Sequence, residues 1–220
     1  EAARRFMLDF EPDVMSGLGL TYAGEGRGHE MQGSKTFYIS GMKNAPIGND
    51  SMPQFIEFPT LLDDEFDEFF NDHMQWSINK FLPRVSTVME PFKDFRLVLN
   101  HRGIGDVVTA FSKPEIRKAI QKLWEIDDFY QEYRKKLAVA NKELSELGFP
   151  TMIAGRAVVP FDKYSDTYRG MELSFEDALE DEEIVLKFCE KFQEKQICQL
   201  RNGNPDGAKD GKQVVMALHK

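Results

Sequence analysis

The sequence predicts an α/β protein, either an open sheet or part of a (β/α)8 barrel, on two observations. In the carboxyl-terminal half, long helical stretches alternate with short apolar runs, at Met152 to Val159 and at Gln213 to Leu218. Strands separated by helices pair in parallel through right-handed crossovers. The first of these runs also breaks at Pro160 and passes directly into a polar stretch holding Asp162, Lys163, Tyr164, Asp166, Tyr168 and Arg169. In α/β folds, ligands gather where loops leave the carboxyl ends of strands, so this stretch is the first candidate site. The competing reading is that Asp162 and Asp166 cap the following helix.

Composition narrows the class. At 220 residues and 41% hydrophobic content the chain fits one domain, 1–220, with a substantial core. The formal net charge of -9 argues against a general nucleic-acid or anionic-membrane surface, because phosphates are repelled on average. No apolar run reaches the ~18 to 20 residues needed to cross a bilayer, and no signal peptide is evident, so the expected location is the cytoplasm. Cys189 and Cys198 fall on one predicted helix. At ~100° and ~1.5 Å per residue they face opposite sides ~13 Å apart and read as packing residues. With no cysteine pair at metal spacing and 4 His, no zinc site is recognisable. The opening at Glu1 and the close at the tip of a strand read as a fragment cut at both ends.

Taken in order, Glu1 to Glu11 has Phe6, Met7 and Phe10 at helical spacing and ends at Pro12. Asp13 to Leu20 reads as a strand that exits through glycine-rich loops, Ser16 to Gly19 and Gly24 to His29, the latter containing Arg27. Alternating glycines can bare N–H groups to a phosphate. That requires a helix start directly afterwards, and Ser34 to Gly41 reads instead as a strand or hairpin. Met42 to Pro59 is an irregular excursion. Asp63 to Asp72 is an acidic helix start with Phe66, Phe69 and Phe70 on one face; its carboxylates read as a solvated face complementing the helix dipole rather than as metal ligands.

A second helix from His73 must kink or end at Pro83, and Arg84 to Phe95 continues helically with an interruption at Pro91. Arg96 to Asn100 suggests a brief strand leading into a loop with His101 and Arg102 as site candidates. Ser112-Lys113-Pro114-Glu115 is a helix start with Ser at the cap, and the helix runs to Leu147, where Gly148 stops it; Asp127-Asp128 offers a second cap that would divide it. Ser174 to Arg201 is the last helix. A barrel mouth would collect the loops after Leu20, Asn100, Val159 and Leu218.

Four segments carry a family resemblance: AVVPFDKYSDTYRGMELSFEDAL, LDDEFDEFFND with WSINKFLPRVSTVMEPF, SKPEIRKAI, and the closing VVMALHK. Together they resemble the uroporphyrinogen decarboxylase family, and within it the divergent anaerobic branch near the corrinoid-dependent methyltransferases. The resemblance implies a (β/α)8 TIM barrel, of which this chain would be the amino-terminal half to two thirds, with tetrapyrrole or methyl-transfer chemistry in its mouth. Where the decarboxylases are expected to carry a catalytic Asp at a strand end, this chain reads Met15-Ser16-Gly17-Leu18, and where they carry a functional Tyr it has Asp166. A porphyrinogen with its ring of carboxylates also needs concentrated cations, and the strand-end loops offer Arg27, Arg102, Lys163, Arg169 and Lys220.

The expectation is therefore a methyltransferase-like member acting with a corrinoid (cobalamin) partner protein on a small methylated substrate. Asp166 is the candidate acid or base, Arg169 its clamp, and His219 a donor at the next strand end. Arg102, His101, Lys163, Tyr168 and Arg27 are candidate substrate contacts. No cofactor is assigned to the chain itself; corrinoid and zinc are expected of the complete protein, and a homo-oligomer is left open. The alternatives are a genuine uroporphyrinogen decarboxylase, a lyase of tetrapyrrole biosynthesis, and a non-catalytic barrel-derived binding subunit.

Overall fold

In a computed structural model of the chain the described residues are 2–13, 22–43, 45–101, 103–149, 153–202 and 215–219. The structure is mostly helical. Helix α1 (Ala2–Phe10) forms as its apolar spacing predicts and buries Met7. The predicted strand at Asp13 to Leu20 lies almost wholly outside the described residues.

The glycine-rich stretch that follows is not a loop. It is helix α2 (Tyr22–Gln32), with its glycines at packing positions. A Cβ on Gly24 would lie 2.6 Å from Cε2 of Tyr133, and one on Gly28 would overlap the Tyr130 hydroxyl. Gly24 and Gly28 stand one turn apart, so they open a single groove into which two tyrosine rings fit. Close packing overrides the low helix propensity of glycine, and a helix stands where a glycine-rich phosphate loop was considered.

Strands β1 (Phe37–Tyr38) and β2 (Gln54–Phe55) pair antiparallel, Phe37 opposite Phe55, across the predicted excursion. A short 3-10 turn, Asp63–Glu65, leads into α3 (Phe66–Asn71) and α4 (His73–Trp76). Asp72 caps α4, its carboxylate accepting from the Gln75 N–H at 2.9 Å. A π turn, Ser77–Phe81, then precedes α5 (Leu82–Val85); Pro83 sits in the first turn of α5, so the helix passes through it and ends at Ser86 rather than at the proline. The 3-10 segment Thr87–Phe92 contains Pro91. Arg96 to Asn100 is not a strand; a helix not anticipated from the sequence, α6 (Ile104–Phe111), follows it. Ser112 is the carboxyl cap of α6 rather than the amino cap of α7 (Pro114–Glu146), which runs undivided past Asp127-Asp128. Gly148, at φ 100°, closes α7 in the expected way: Phe149 N–H bonds to Leu144 C=O at 3.0 Å and Gly148 N–H to Ser145 C=O at 3.1 Å. Phe149 and Leu144 then pack with Met7.

The carboxyl-terminal part carries the parallel pair. Strand β3 (Ile153–Val158) is followed by α8 (Pro160–Lys163), a π turn Tyr164–Arg169, α9 (Met171–Glu180), α10 (Glu182–Asn202) and β4 (Val215–His219). β3 and β4 pair in parallel, with Val158 opposite His219, as the helix-strand alternation predicts. The predicted last helix is two, divided at Asp181, whose carboxylate accepts from the Ile184 N–H at 3.2 Å. Cys189, half-buried, and Cys198, exposed, lie on α10 and are not joined by a disulfide. Among the described residues the strands form two separate two-stranded sheets, so the α/β class is supported while a closed barrel is not seen. No helix among the described residues is long and apolar enough to cross a membrane.

Contacts divide the chain into two compact units, residues 20–133 and residues 1–19 with 134–220. In the first of these, Phe92, Phe95, Ala110, Ile116 and Ala119 form a core, and Phe69 and Trp76 meet edge to face at 4.9 Å. In the second, Tyr164, Tyr168, Phe188 and Phe192 interlock, Phe188 and Phe192 stacking at 4.4 Å.

The groove on α2 yields a test whose sign is informative. Helix propensity alone would make Gly24→Ala and Gly28→Ala stabilising by about 0.5–1 kcal/mol. Overpacking against Tyr133 and Tyr130 costs about 1–3 kcal/mol, so each variant is expected to melt at a lower temperature in a thermal scan. A raised melting temperature would contradict the packing described.

Candidate functional site

The stretch after β3 is helical where a loop was expected, because Pro160 starts a helix rather than breaking the chain. Val159 is extended at φ -60° and ψ 136°, and Pro160 occupies the first turn of α8, where its missing N–H costs nothing. The π turn that follows closes with the Gly170 N–H bonded to Ser165 C=O at 2.8 Å, and Gly170 itself adopts φ 80°. The wider turn directs Tyr164, Tyr168 and Arg169 all into the interior.

Arg169 is therefore not a clamp for Asp166. Only 3% of it is exposed, and its fork closes on Asp177 of α9, Nε to Oδ2 at 2.6 Å and Nη2 to Oδ1 at 2.9 Å. The Tyr164 hydroxyl donates to the same Oδ2 at 2.6 Å. Burial first, then the hydrogen bond to Asp177 and its charge, push the Tyr164 pKa well above the usual range, which keeps it a neutral donor. Tyr168 is buried against Phe188 and Phe192 at 5.4 and 6.0 Å, and burial raises its pKa to about 12. It is a packing residue, not an available substrate contact.

Two of the expected residues do reach the surface here. Asp166 is exposed and accepts from the Ser165 hydroxyl at 3.3 Å. Lys163 is half-buried, its ammonium 4.7 Å from the centre of the Phe192 ring, with that of Lys195 at 5.2 Å from the same ring. Burial, then the charge of Lys195, lowers the Lys163 pKa. Asp162 is also half-buried, with Oδ2 enclosed and without a hydrogen-bond partner among the described residues. The Val158 to His219 register sets the end of β4 beside this edge. The His219 side chain, Arg102 and Lys220 lie outside the described residues. Arg27 and His101 belong to unit 20–133: Arg27 is exposed on α2, 3.5 Å from Glu30, and His101 is exposed in the turn before α6.

Asp177 escaped the sequence analysis because the apolar face of α9 points outwards, and only the structure shows that Ser174, three residues earlier, is buried on the same side as Asp177.

Glu65 corrects the expectation of a solvated acidic face. It is 4% exposed and receives Arg84 Nη1 and Nη2 at 2.6 and 2.7 Å, Lys80 Nζ at 3.1 Å and Trp76 Nε1 at 3.2 Å. Burial by itself would raise its pKa. Hydrogen bonds from Arg84, Lys80, the Leu62 N–H and Trp76 outweigh that and bring it down to about 2. Lys80 also holds Glu68 at 2.8 Å, and this bond, more than the one to Glu65, raises the lysine's own pKa against burial.

Among the described residues no three His, Cys, Asp or Glu side chains come within reach of one metal ion, so the residues in hand do not fit a zinc site. Comparison of the chain with family models, with curated proteins and with solved structures finds no match.

A pH prediction follows from Glu65. A carboxylate whose folded pKa is depressed stabilises the fold above its unfolded pKa, near 4.5, and the stabilisation is lost as pH falls towards 2. The difference corresponds to about 3 kcal/mol. Denaturant titrations from pH 6 to pH 2 are expected to show a steep acid limb in the wild type. In Glu65→Gln that limb is shallower by about this amount, on a lower baseline at pH 7. Parallel curves would contradict the assignment.

Proposed function

We propose that the chain belongs to a (β/α)8 barrel of the uroporphyrinogen decarboxylase type and that its chemistry takes place where β3 and β4 end. The observation that supports this most directly is the parallel pairing of β3 with β4, level at Val158 and His219 and joined through three helices. Level carboxyl ends of neighbouring parallel strands are where α/β enzymes gather reacting groups. Asp166, exposed on the segment leaving β3, is the acid or base, with His219 at the end of β4 as a donor and Lys163 as a contact for an anionic group. Arg169 acts as a positioning residue, fastening the π turn through Asp177 and Tyr164.

The substrate we propose is small and methylated, and the partner a corrinoid-carrying protein. Burial of Arg169 removes a cation from this edge, which leaves still less to grip a ring of carboxylates and favours methyl transfer over porphyrinogen decarboxylation. A corrinoid would supply the methyl-carrying centre; we assign it to the partner and no zinc to the described residues.

The test uses the intact protein with methylcobalamin and a thiol acceptor, and separately with uroporphyrinogen under anaerobic conditions. Methyl transfer is expected, with kcat falling about 10²-fold or more in Asp166→Asn and His219→Gln while the melting temperature of Asp166→Asn stays unchanged. Stepwise loss of carboxylates from uroporphyrinogen would instead establish the decarboxylase. Inertness in both assays would favour a non-catalytic binding subunit.

A further inference from the structure

Unit 20–133 contains a cleft of about 750 Å³ that the proposed chemistry does not use. Its size is that of a small-molecule site. Its charge is opposite to that of the chain. Lys35, Lys80, Arg84, Lys93 and Arg96 line it, against Glu65, Glu90 and Asp94, in a protein of net charge -9.

Two of the three acids, Glu65 and Glu90, are engaged within the protein, while the Asp94 carboxylate has no partner among the described residues. Glu65 is enclosed by Arg84 and Lys80, as described above, and Glu90 holds Lys35 at 2.6 Å, while the Lys35 ammonium also donates to Pro83 C=O at 3.1 Å. Lys93 and most of the Arg96 guanidinium are left over. One Arg96 nitrogen, Nη1, donates to Phe95 C=O at 3.0 Å and to Oδ1 of Asn79. Its other N–H groups, and the Lys93 ammonium, have no acceptor among the described residues.

Asn79 makes this a built feature rather than a loose surface arginine. It is buried on the π turn, and its Nδ2 donates to Phe92 C=O at 2.6 Å and Phe95 C=O at 2.8 Å. Its Oδ1 accepts from both Gln75 Nε2 and the Arg96 guanidinium, and so helps to aim the latter. The core residues Phe92 and Phe95 thereby fix the orientation of a charged fork at the cleft wall. A planar fork held in place, with a second cation close in sequence, is suited to an oxyanion with more than one oxygen to offer.

We propose that this cleft binds a small multivalent oxyanion, bearing phosphate or carboxylate groups, held by Arg96 and Lys93 with Lys35 at the edge. The proposal rests on unit 20–133 alone and is independent of the function assigned to β3 and β4.

Isothermal titration calorimetry of the intact chain with inorganic pyrophosphate and, separately, citrate, both at fixed ionic strength, tests it. Saturable one-site binding is expected for at least one anion, weakened about tenfold in Arg96→Gln, partly restored in Arg96→Lys and weakened a few-fold in Lys93→Gln. Tighter binding of pyrophosphate would identify a phosphate-bearing ligand, tighter binding of citrate a carboxylate-bearing one, and either supports the site. Absence of saturable heat with both anions, or equal affinity in Lys93→Gln and wild type, would overturn it. The Lys93 variant keeps the test decisive if Arg96→Gln fails to fold, because Lys93 is exposed and its side chain makes no hydrogen bond or ion pair among the described residues.

Discussion

The pairing of the buried Arg169 with the half-buried Asp177 is the interaction on which the carboxyl-terminal unit depends. Taking a guanidinium and a carboxylate out of water costs several kcal/mol per ion, and the cost is offset only by close geometry and full hydrogen bonding. Here the fork is bidentate and Tyr164 adds a third bond to the same carboxylate. Loss of either charged partner would leave the other charge without its counter-ion, while loss of the Tyr164 hydroxyl would remove one hydrogen bond. The pair ties the π turn to α9, and the π turn in turn sets Lys163 and Asp166 at the end of β3.

The other unit uses the same device. A π turn, Ser77–Phe81, precedes α5, and Arg84 of α5 closes bidentately on the enclosed Glu65. In both units a π turn holds or closely precedes an arginine that closes bidentately on a carboxylate, the buried Glu65 in one and the half-buried Asp177 in the other. Lys80 and Asn79 lie on the first of these turns, so the turn that fastens the core also shapes the cationic cleft.

This device explains what could be read from the sequence and what could not. The ends of α1 and α7 were legible, because Pro12 and Gly148 act locally. So was the parallel relation of β3 and β4, which follows from the alternation of long helices with apolar runs. The stretch from Pro160 to Arg169 was not legible as a helix: proline can end a strand or begin a helix, and the tyrosines that pack behind it favour the helix here. The glycines of α2 failed as a loop signal because their partners, Tyr130 and Tyr133, are about a hundred residues away. On α9 the pattern misleads outright. Met171, Phe175 and Leu179 recur at helical spacing yet face outwards, Leu179 at 88% exposure, while Ser174 and Asp177 face inwards. Sequence periodicity reports an apolar face and does not say whether this chain or something else covers it.

The central claim is that Arg169 and Asp177 are one energetic unit holding the strand-end segment. A double-mutant cycle with Arg169→Met, Asp177→Asn and the double variant, read by denaturant unfolding at neutral pH, measures it most directly. Each single variant is expected to lose about 3–5 kcal/mol, with a coupling energy of at least about 2 kcal/mol because the double variant removes the stranded charge. Additive losses, with coupling below about 0.5 kcal/mol, would contradict the account.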